Sequence, residues 1–297
     1  MSEGDSSPTY RWALPFTRLK WEFSRLFLIN ESHWIQLKNQ IDHYLNKLEY
    51  QGVVITHGTN TMEEPAYFLH LTVNSDKPVV LVGAQRPFTA LSSDAHLYLI
   101  NAFRVAVAPE SHGKGVLVAV NDEIHSAREV TKTHTYHLDA FQSGEFGVLG
   151  FIDPDKTVQY YRKPTRSHTV NSAFTSLSTE DAFPLIEIIY SYAGATGKLI
   201  EYIIQDGNYQ GIIMAGTGAG RFSNKEEKAL HKAREQGVII VKSSRVGNGR
   251  VIDIEPYKDL DAISGDNLTP QKARILLSLS LATKKSVNEI RNIFTTY

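Results

Sequence analysis

A threonine hydroxyl attacks a carbonyl only when a neighbouring base takes its proton, and this sequence offers one threonine and one lysine placed for that exchange. The stretch YQGVVITHGTNTMEEPAYFLHL, residues 50–71, passes from an apolar run through a small polar turn into an amphipathic segment. The turn carries His57, Gly58, Thr59, Asn60 and Thr61. Gly58 lets the backbone approach a ligand closely, and Thr61 and Glu64 have the spacing of a capping box for the helix that follows. The N-terminus of such a helix favours a carboxylate or an oxyanion. Judged on that turn alone, Thr59 and Thr61 read more readily as turn and cap residues. A second stretch changes the balance: in NDEIHSAREVTKTHTYHLDAF, Lys132 stands between Thr131 and Thr133. A lysine in a polar loop is ordinarily a solvated charge. Partly desolvated beside a threonine, it gives up its proton more easily and serves as a general base, which makes Thr59 a nucleophile.

The elements that must bring the two together follow from periodicity. From residue 52 onward short β-branched runs alternate with helix-period segments, the pattern of a parallel sheet wrapped by helices. Strands are expected at 52–56, 78–82, 115–120, 186–190, 211–215 and 238–242, several as continuous apolar runs that fit burial on both faces. Helical spacing is found in Glu63–Thr72, Ala95–Val107, 199–206 and 225–236. Thr269 and Pro270 form an N-cap and first helical position ahead of QKARILLSLSLATKK, and a short helix over 286–294 closes the chain. Turns at the carboxyl ends of parallel strands lie at the crevice where open α/β sheets bind ligands. VLVGAQRPFTALSSDAHL leaves its strand through Gly83, Ala84 and Gln85 and is expected at that same rim. Residues 163–184, KPTRSHTVNSAFTSLSTEDAFP, are Ser/Thr/Pro-rich with little periodicity and read as a linker.

Composition narrows the partners. Over 297 residues, 42% hydrophobic content is enough to fill cores of one large or two medium domains. The 31 basic and 32 acidic side chains are spread evenly, which argues against nucleic acid or an anionic membrane surface as partner. The chain has no cysteine, which excludes disulfides, thiolate metal sites and a Cys nucleophile. His57, His125, His134 and His137 lack the i, i+4 spacing of a helical metal pair, so no metal is expected. The first residues show no basic region followed by an apolar core, and no apolar run reaches the length of a membrane span, so the expectation is a cytoplasmic protein.

HGTNTMEE, GAQRP, NDEIHSAREVTKTHT and NLTPQKARILL, in that order, resemble the bacterial-type L-asparaginase/glutaminase family over roughly residues 34–297. The resemblance implies a larger N-terminal doubly wound, flavodoxin-like α/β domain over 1–165, a linker over 166–184 and a smaller C-terminal α/β domain over 185–297. It also implies a homotetramer with sites between subunits, and cofactor-free hydrolysis of the side-chain amide of a small molecule to a carboxylate and ammonia. Carried over position by position, Thr59 and Lys132 match a threonine and lysine of one catalytic group. Asn60 stands where that group has an aspartate gripping the substrate's α-ammonium. Gly58 and Ala84, with Gln85 beside it, match positions lining the amide and oxyanion region, and Glu255 is placed as an acidic partner from the neighbouring subunit.

The sequence also departs from that family. The TGGTIA-like turn bearing the first nucleophilic threonine has no counterpart, nor has the tyrosine-bearing lid after it. In the segment that binds the substrate's carboxylate and ammonium, this chain has LFLINESHWIQL, with Asn30, Glu31 and Ser32 in the turn. Asn60 in place of a carboxylate removes a charge-assisted hydrogen bond of about 1.5–3 kcal/mol. Pro65 is expected to bend the entry to the helix, and Gly194 replaces an asparagine that reaches into the neighbouring site. The absent first strand should leave a gap in the sheet. Either TYRWALPF or LKWEFSRLFLI fills it, or the gene model is incomplete. Three readings stay open: an amidohydrolase working through Thr59 and Lys132, a binding or regulatory homologue, and altered chemistry on another metabolite.

Overall fold

A computed structural model describes residues 30–178, 180–252 and 258–297. Helix α1 (Glu31–Asp42) continues through a π-helical turn, His43–Lys47, before strand β1 (Val53–Thr56). Then come α2 (Glu63–Thr72), β2 (Val79–Val82), α3 (Ala95–Val107) and β3 (Val116–Val120). Five short strands follow: β4 (Glu123–Ser126), β5 (Thr131–Lys132), β6 (Phe141–Gln142), β7 (Gly150–Ile152) and β8 (Val158–Tyr160). The second half is β9 (Leu185–Tyr190), α4 (Lys198–Asp206), β10 (Tyr209–Gly216), α5 (Asn224–Glu235), β11 (Ile239–Ser244), β12 (Ile263–Ser264), α6 (Pro270–Ala282) and α7 (Val287–Thr296).

The larger sheet has the order β1-β2-β3-β4-β7-β8. β1, β2 and β3 are parallel, in register through Val53↔Val79 and Val79↔Val116, and β4, β7 and β8 add antiparallel. The smaller sheet, β12-β11-β10-β9, is parallel throughout. The chain is thus a two-domain α/β protein with a mixed N-terminal sheet and a smaller parallel C-terminal one. Each of the six strands expected from the sequence lies within two residues of an observed one at either end. β2 and β3 are buried along their whole length, as continuous Val/Leu/Ala runs require. β1 is only half-buried and is the terminal strand of its sheet among the described residues. The two segments expected to fill a gap beside it, at 9–16 and 19–29, lie outside the described residues.

One apolar core joins the two sheets. It takes Tyr67 and Phe68 from α2, Leu81 and Val118 from the larger sheet, Ile213 and Val241 from the smaller, and Leu276 and Leu277 from α6. A second cluster, including Ile200, Met214, Leu230 and Ile240, sits under α4 and α5. α6 carries RILLSLSLA, apolar nearly all round, and is buried on most of its surface. The Ser/Thr-rich segment is packed rather than free. Phe174 is fully buried, its ring 5.4 Å from Tyr297, and Phe183 lies 6.4 Å from Phe68.

Two local expectations are corrected. α2 begins at Glu63 with Met62 as N-cap and no side-chain cap, so the Thr61–Glu64 capping box does not form. Thr61 instead accepts the Glu64 N–H on its carbonyl, a tight backbone turn that does the work of the cap. Pro65 does not break the entry to α2. It is the third helical residue, inside the first turn, where a missing N–H leaves no helix bond unmade.

Candidate active site

The turn after β1 and the strand β5 meet at the rim of the larger sheet. Lys132 Nζ lies 2.9 Å from Thr59 Oγ1 and donates to it, 73 residues away in sequence. Desolvation holds the Lys132 amine below its usual range, the direction that favours a base. With the amine neutral, the same contact carries the hydroxyl proton the other way.

Each partner is held by its own set of groups. On the Thr59 side, the His57 N–H donates to Val82 O at 2.9 Å, which fixes the exit of β1 against β2. His57 Nδ1 lies 2.7 Å from Gly58 O, and burial lowers the pKa of the ring, so His57 packs as a neutral residue of the turn. Gly83 sits directly behind. A Cβ there would come within 2.5 Å of His57 O and 3.2 Å of both Met62 Sδ and Thr59 Cγ2, so only glycine lets the two turns close on each other. On the Lys132 side, its backbone N–H donates to Glu63 Oε2 at 3.1 Å, and Gln271 Nε2 donates to Glu63 Oε1 at 2.6 Å. Lys272, 1% exposed, donates to Arg128 O at 2.8 Å and to Val130 O. Asp94 pins the loop after β2 by accepting the N–H groups of Gln85 at 2.8 Å and Arg86 at 3.0 Å.

The other candidates fall as follows. Gly58 and Ala84 are half-buried beside Thr59's turn, while Asn60 is exposed. The N–H groups of Gly58, Thr59, Asn60 and Ala84 donate to no backbone acceptor among the described residues. A developing oxyanion would find free donors there. Gln85 is half-buried, its side-chain Nε2 shut from solvent without a partner among the described residues. Glu255 lies outside the described residues.

Asn30, Glu31 and Ser32 border a cleft of about 420 Å³ with Ile35, Gln36, Asp181 and Phe183. Asn30 is the N-cap of α1 and accepts from Ser32 Oγ at 2.7 Å, while Glu31 pairs with Arg274 at 2.7 Å. The histidines are dispersed. His125 is buried against Ser143 at 2.8 Å, and His134 and His137 stack in an exposed loop. Among the described residues no group of three or more His, Asp or Glu could hold a metal ion.

Sequence reasoning passed over Glu63, Gln271, Lys272 and Asp94. Asp94 lies inside the quoted VLVGAQRPFTALSSDAHL, close to its partners, and the other three lie inside the MEE after the turn and TPQKAR. Their partners are 69 to 208 positions distant, and no local pattern reveals them.

Comparison with known proteins fits this arrangement. The family profile described as "Asparaginase, N-terminal" matches residues 27–166, and "Glutaminase/Asparaginase C-terminal domain" matches 185–294. The chain is 44% identical over 263 residues to "L-asparaginase 2" of Bacillus subtilis, covering 89% of this chain and 69% of the relative. It is 40% identical over 271 residues to "L-asparaginase 2" of Escherichia coli, covering 91% and 76%. A crystal structure of a probable cytoplasmic L-asparaginase from Campylobacter jejuni superposes with a TM-score of 0.85 at 40% identity, over 92% of this chain and 86% of that one. With both halves matched in order, and the threonine turn and the lysine strand facing each other within the first of them, the chain belongs to the asparaginase family.

Proposed function

We propose that this protein is an asparaginase-type amidohydrolase that hydrolyses the side-chain amide of a small molecule, L-asparagine in the first instance, to the carboxylate and ammonia. The observation that carries the proposal is the 2.9 Å contact between Lys132 Nζ and Thr59 Oγ1, with the amine's pKa lowered by desolvation. Neutral Lys132 takes the Thr59 proton as Oγ1 attacks the amide carbon. The tetrahedral oxyanion is met by backbone N–H groups of the turn and of Ala84, with Gln85 at the rim beside them. The C–N bond breaks as Lys132 returns the proton to the leaving nitrogen, so ammonia departs and an ester remains on Thr59. Water, deprotonated by Lys132, then attacks that ester; Lys132 returns the proton to Thr59 Oγ1 as the C–O bond breaks, and the carboxylic acid released gives its proton to the ammonia, so that carboxylate and ammonium leave. Proton and charge balance over the cycle, and no cofactor enters it.

The substrate's backbone groups are held less securely than its amide. Asn60 offers no negative charge to an α-ammonium, and Asn30 and Ser32 are engaged with each other. The family resemblance supports a homotetramer whose neighbouring subunit contributes Glu255 to the site; light scattering of the purified protein tests this, and a monomer refutes it. The name of the Campylobacter relative favours a cytoplasmic setting, and no helix among the described residues is long and apolar enough to cross a membrane. Cell fractionation tests the location.

The central test is ammonia release from L-asparagine, L-glutamine and simple ω-amides by the wild type, Thr59→Ala and Lys132→Ala. Loss of a general base or nucleophile should cost a factor on the order of 10²–10⁴. Equal rates in all three proteins reject the proposal and leave a binding role for the fold.

A further inference from the structure

Lys132 sits in a strand of two residues that, among the described residues, pairs with β6 alone through Thr131↔Gln142 and Lys132↔Phe141. Alternate N–H groups of a strand point to opposite edges. The N–H of Thr133 goes to Ala140 O at 2.7 Å on the β6 side, so that of Lys132 faces the other way. Glu63 meets it there, and Gln271 at the start of α6 holds the second carboxylate oxygen. Lys272, the next residue of α6, holds the carbonyls of Arg128 and Val130. Residues 128, 130 and 132 are thereby gripped at every second position by the first turn of one helix, directly or through Glu63.

Resting on the amidohydrolase reading, we propose that Gln271 and Glu63 are positioning residues for the reaction, a relay by which α6 of the C-terminal half sets the Lys132 amine against Thr59. Neither touches the reacting atoms. A free lysine side chain has about 2 kcal/mol of rotamer entropy, so Lys132 meets Thr59 reproducibly only if its own backbone is fixed. Glu63, 8% exposed, uses one oxygen for that backbone and the other for Gln271. The chemistry of the relay is directional: a carboxylate at one end and an amide donor at the other.

That polarity supplies the test. In Gln271→Glu two carboxylates face each other at hydrogen-bond distance, and kcat should fall about ten- to hundredfold with KM little changed, as expected for a misplaced catalytic group. Adding Glu63→Gln reverses the polarity. The amide oxygen at 63 still accepts from the Lys132 N–H, and its NH₂ donates to the carboxylate at 271. The double variant should recover to within about threefold of wild type, a coupling that independent structural damage does not produce. Gln271→Met, close in shape but without a donor, should also lose kcat and should not be rescued by Glu63→Gln.

A second arm needs no substrate. The rate at which an amine-acylating reagent modifies Lys132 is followed against pH by peptide mass spectrometry. The midpoint should move to higher pH in Gln271→Glu and return in the double variant. Full activity in Gln271→Glu, or a double variant no better than it while both melt like wild type, overturns the relay. If the wild type releases no ammonia from any amide, the amidohydrolase reading fails by itself. An unchanged labelling midpoint in Gln271→Glu then still overturns the relay, and a shifted, restored midpoint upholds it.

Discussion

Lys272 tests how the buried polar layer under the site is held together. Its side chain is 1% exposed, and burial, the largest influence, pulls the amine from 10.5 to about 8; Glu63 and Glu129 oppose the shift and Arg128 adds to it. Stability changes with pH in proportion to the protons bound by the unfolded chain minus those bound by the folded one. Between about pH 8 and 10.5 the unfolded lysine is protonated and the folded one is not, so this residue makes the protein more stable as pH rises. Below about pH 8 both forms are charged and the folded state bears the full cost of burying the ammonium. The limiting slope is about 1.4 kcal/mol per pH unit, and because both states are partly titrated at the ends of the window the change between pH 8 and pH 10 is about 2 kcal/mol. That figure is a ceiling, because the carbonyl dipoles of Arg128 and Val130 favour the charged form. Above pH 10 buried tyrosines turn the curve down: Tyr98 is raised to about 12, and Tyr67 and Tyr160 are also raised by burial. Lys272→Met keeps the apolar stem and removes the titrating group. Urea denaturation of both proteins from pH 7 to pH 10 gives a difference curve, which should climb by about 2 kcal/mol over the upper two units. A difference flat to within about 0.5 kcal/mol would show that the hydrogen bonds to the two carbonyls keep Lys272 charged, and would refute the reasoning.

Three further outcomes follow from the site. Asn60→Asp restores a carboxylate where the turn is exposed, and should lower KM for L-asparagine about tenfold or more through a charge-assisted hydrogen bond of about 1.5–3 kcal/mol; an unchanged KM means the α-ammonium is held elsewhere. Gly83→Ala pushes a methyl to within 2.5 Å of His57 O. It should destabilise by about 1–3 kcal/mol and reduce kcat by displacing Thr59, which a thermal melt and steady-state kinetics read together. Asp94→Ala releases the N–H groups of Gln85 and Arg86. The loss should be about 2–3 kcal/mol in urea, with Asp94→Asn, which keeps one acceptor oxygen, falling between it and wild type.

The strands buried on both faces were legible because a continuous apolar run has few other places to go. Val79–Val82 and Val116–Val120 were bounded to within a residue for that reason. β4, β7 and β8 were not anticipated. EIHS, GFI and VQY are short and mixed, and they are strands because each pairs the edge of the one before it, β4 on β3, β7 on β4 and β8 on β7. Thr59 and Lys132 were found because their residue types pair chemically and both follow strands. Glu63 was passed over because a glutamate in the first turn of a helix already has an ordinary reason to be there, favouring the helix dipole. Its use as an acceptor for Lys132 depends on a contact that exists only once β5 folds over α2.

The turn carrying Thr59 is held from two directions. Toward β2 it is tied by the His57 N–H to Val82 O and by the close fit against Gly83. The hydroxyl is also met from across the cleft. That contact is Lys132, and Lys132 is in turn held by α6 through Glu63 and through Lys272's grip on the preceding residues. α6 lies in the core shared by both sheets. The nucleophile's geometry is therefore set from the C-terminal half as well as from its own strand, and substitutions in the first turn of α6 should alter turnover before those in α4 or α5, which pack on the separate cluster.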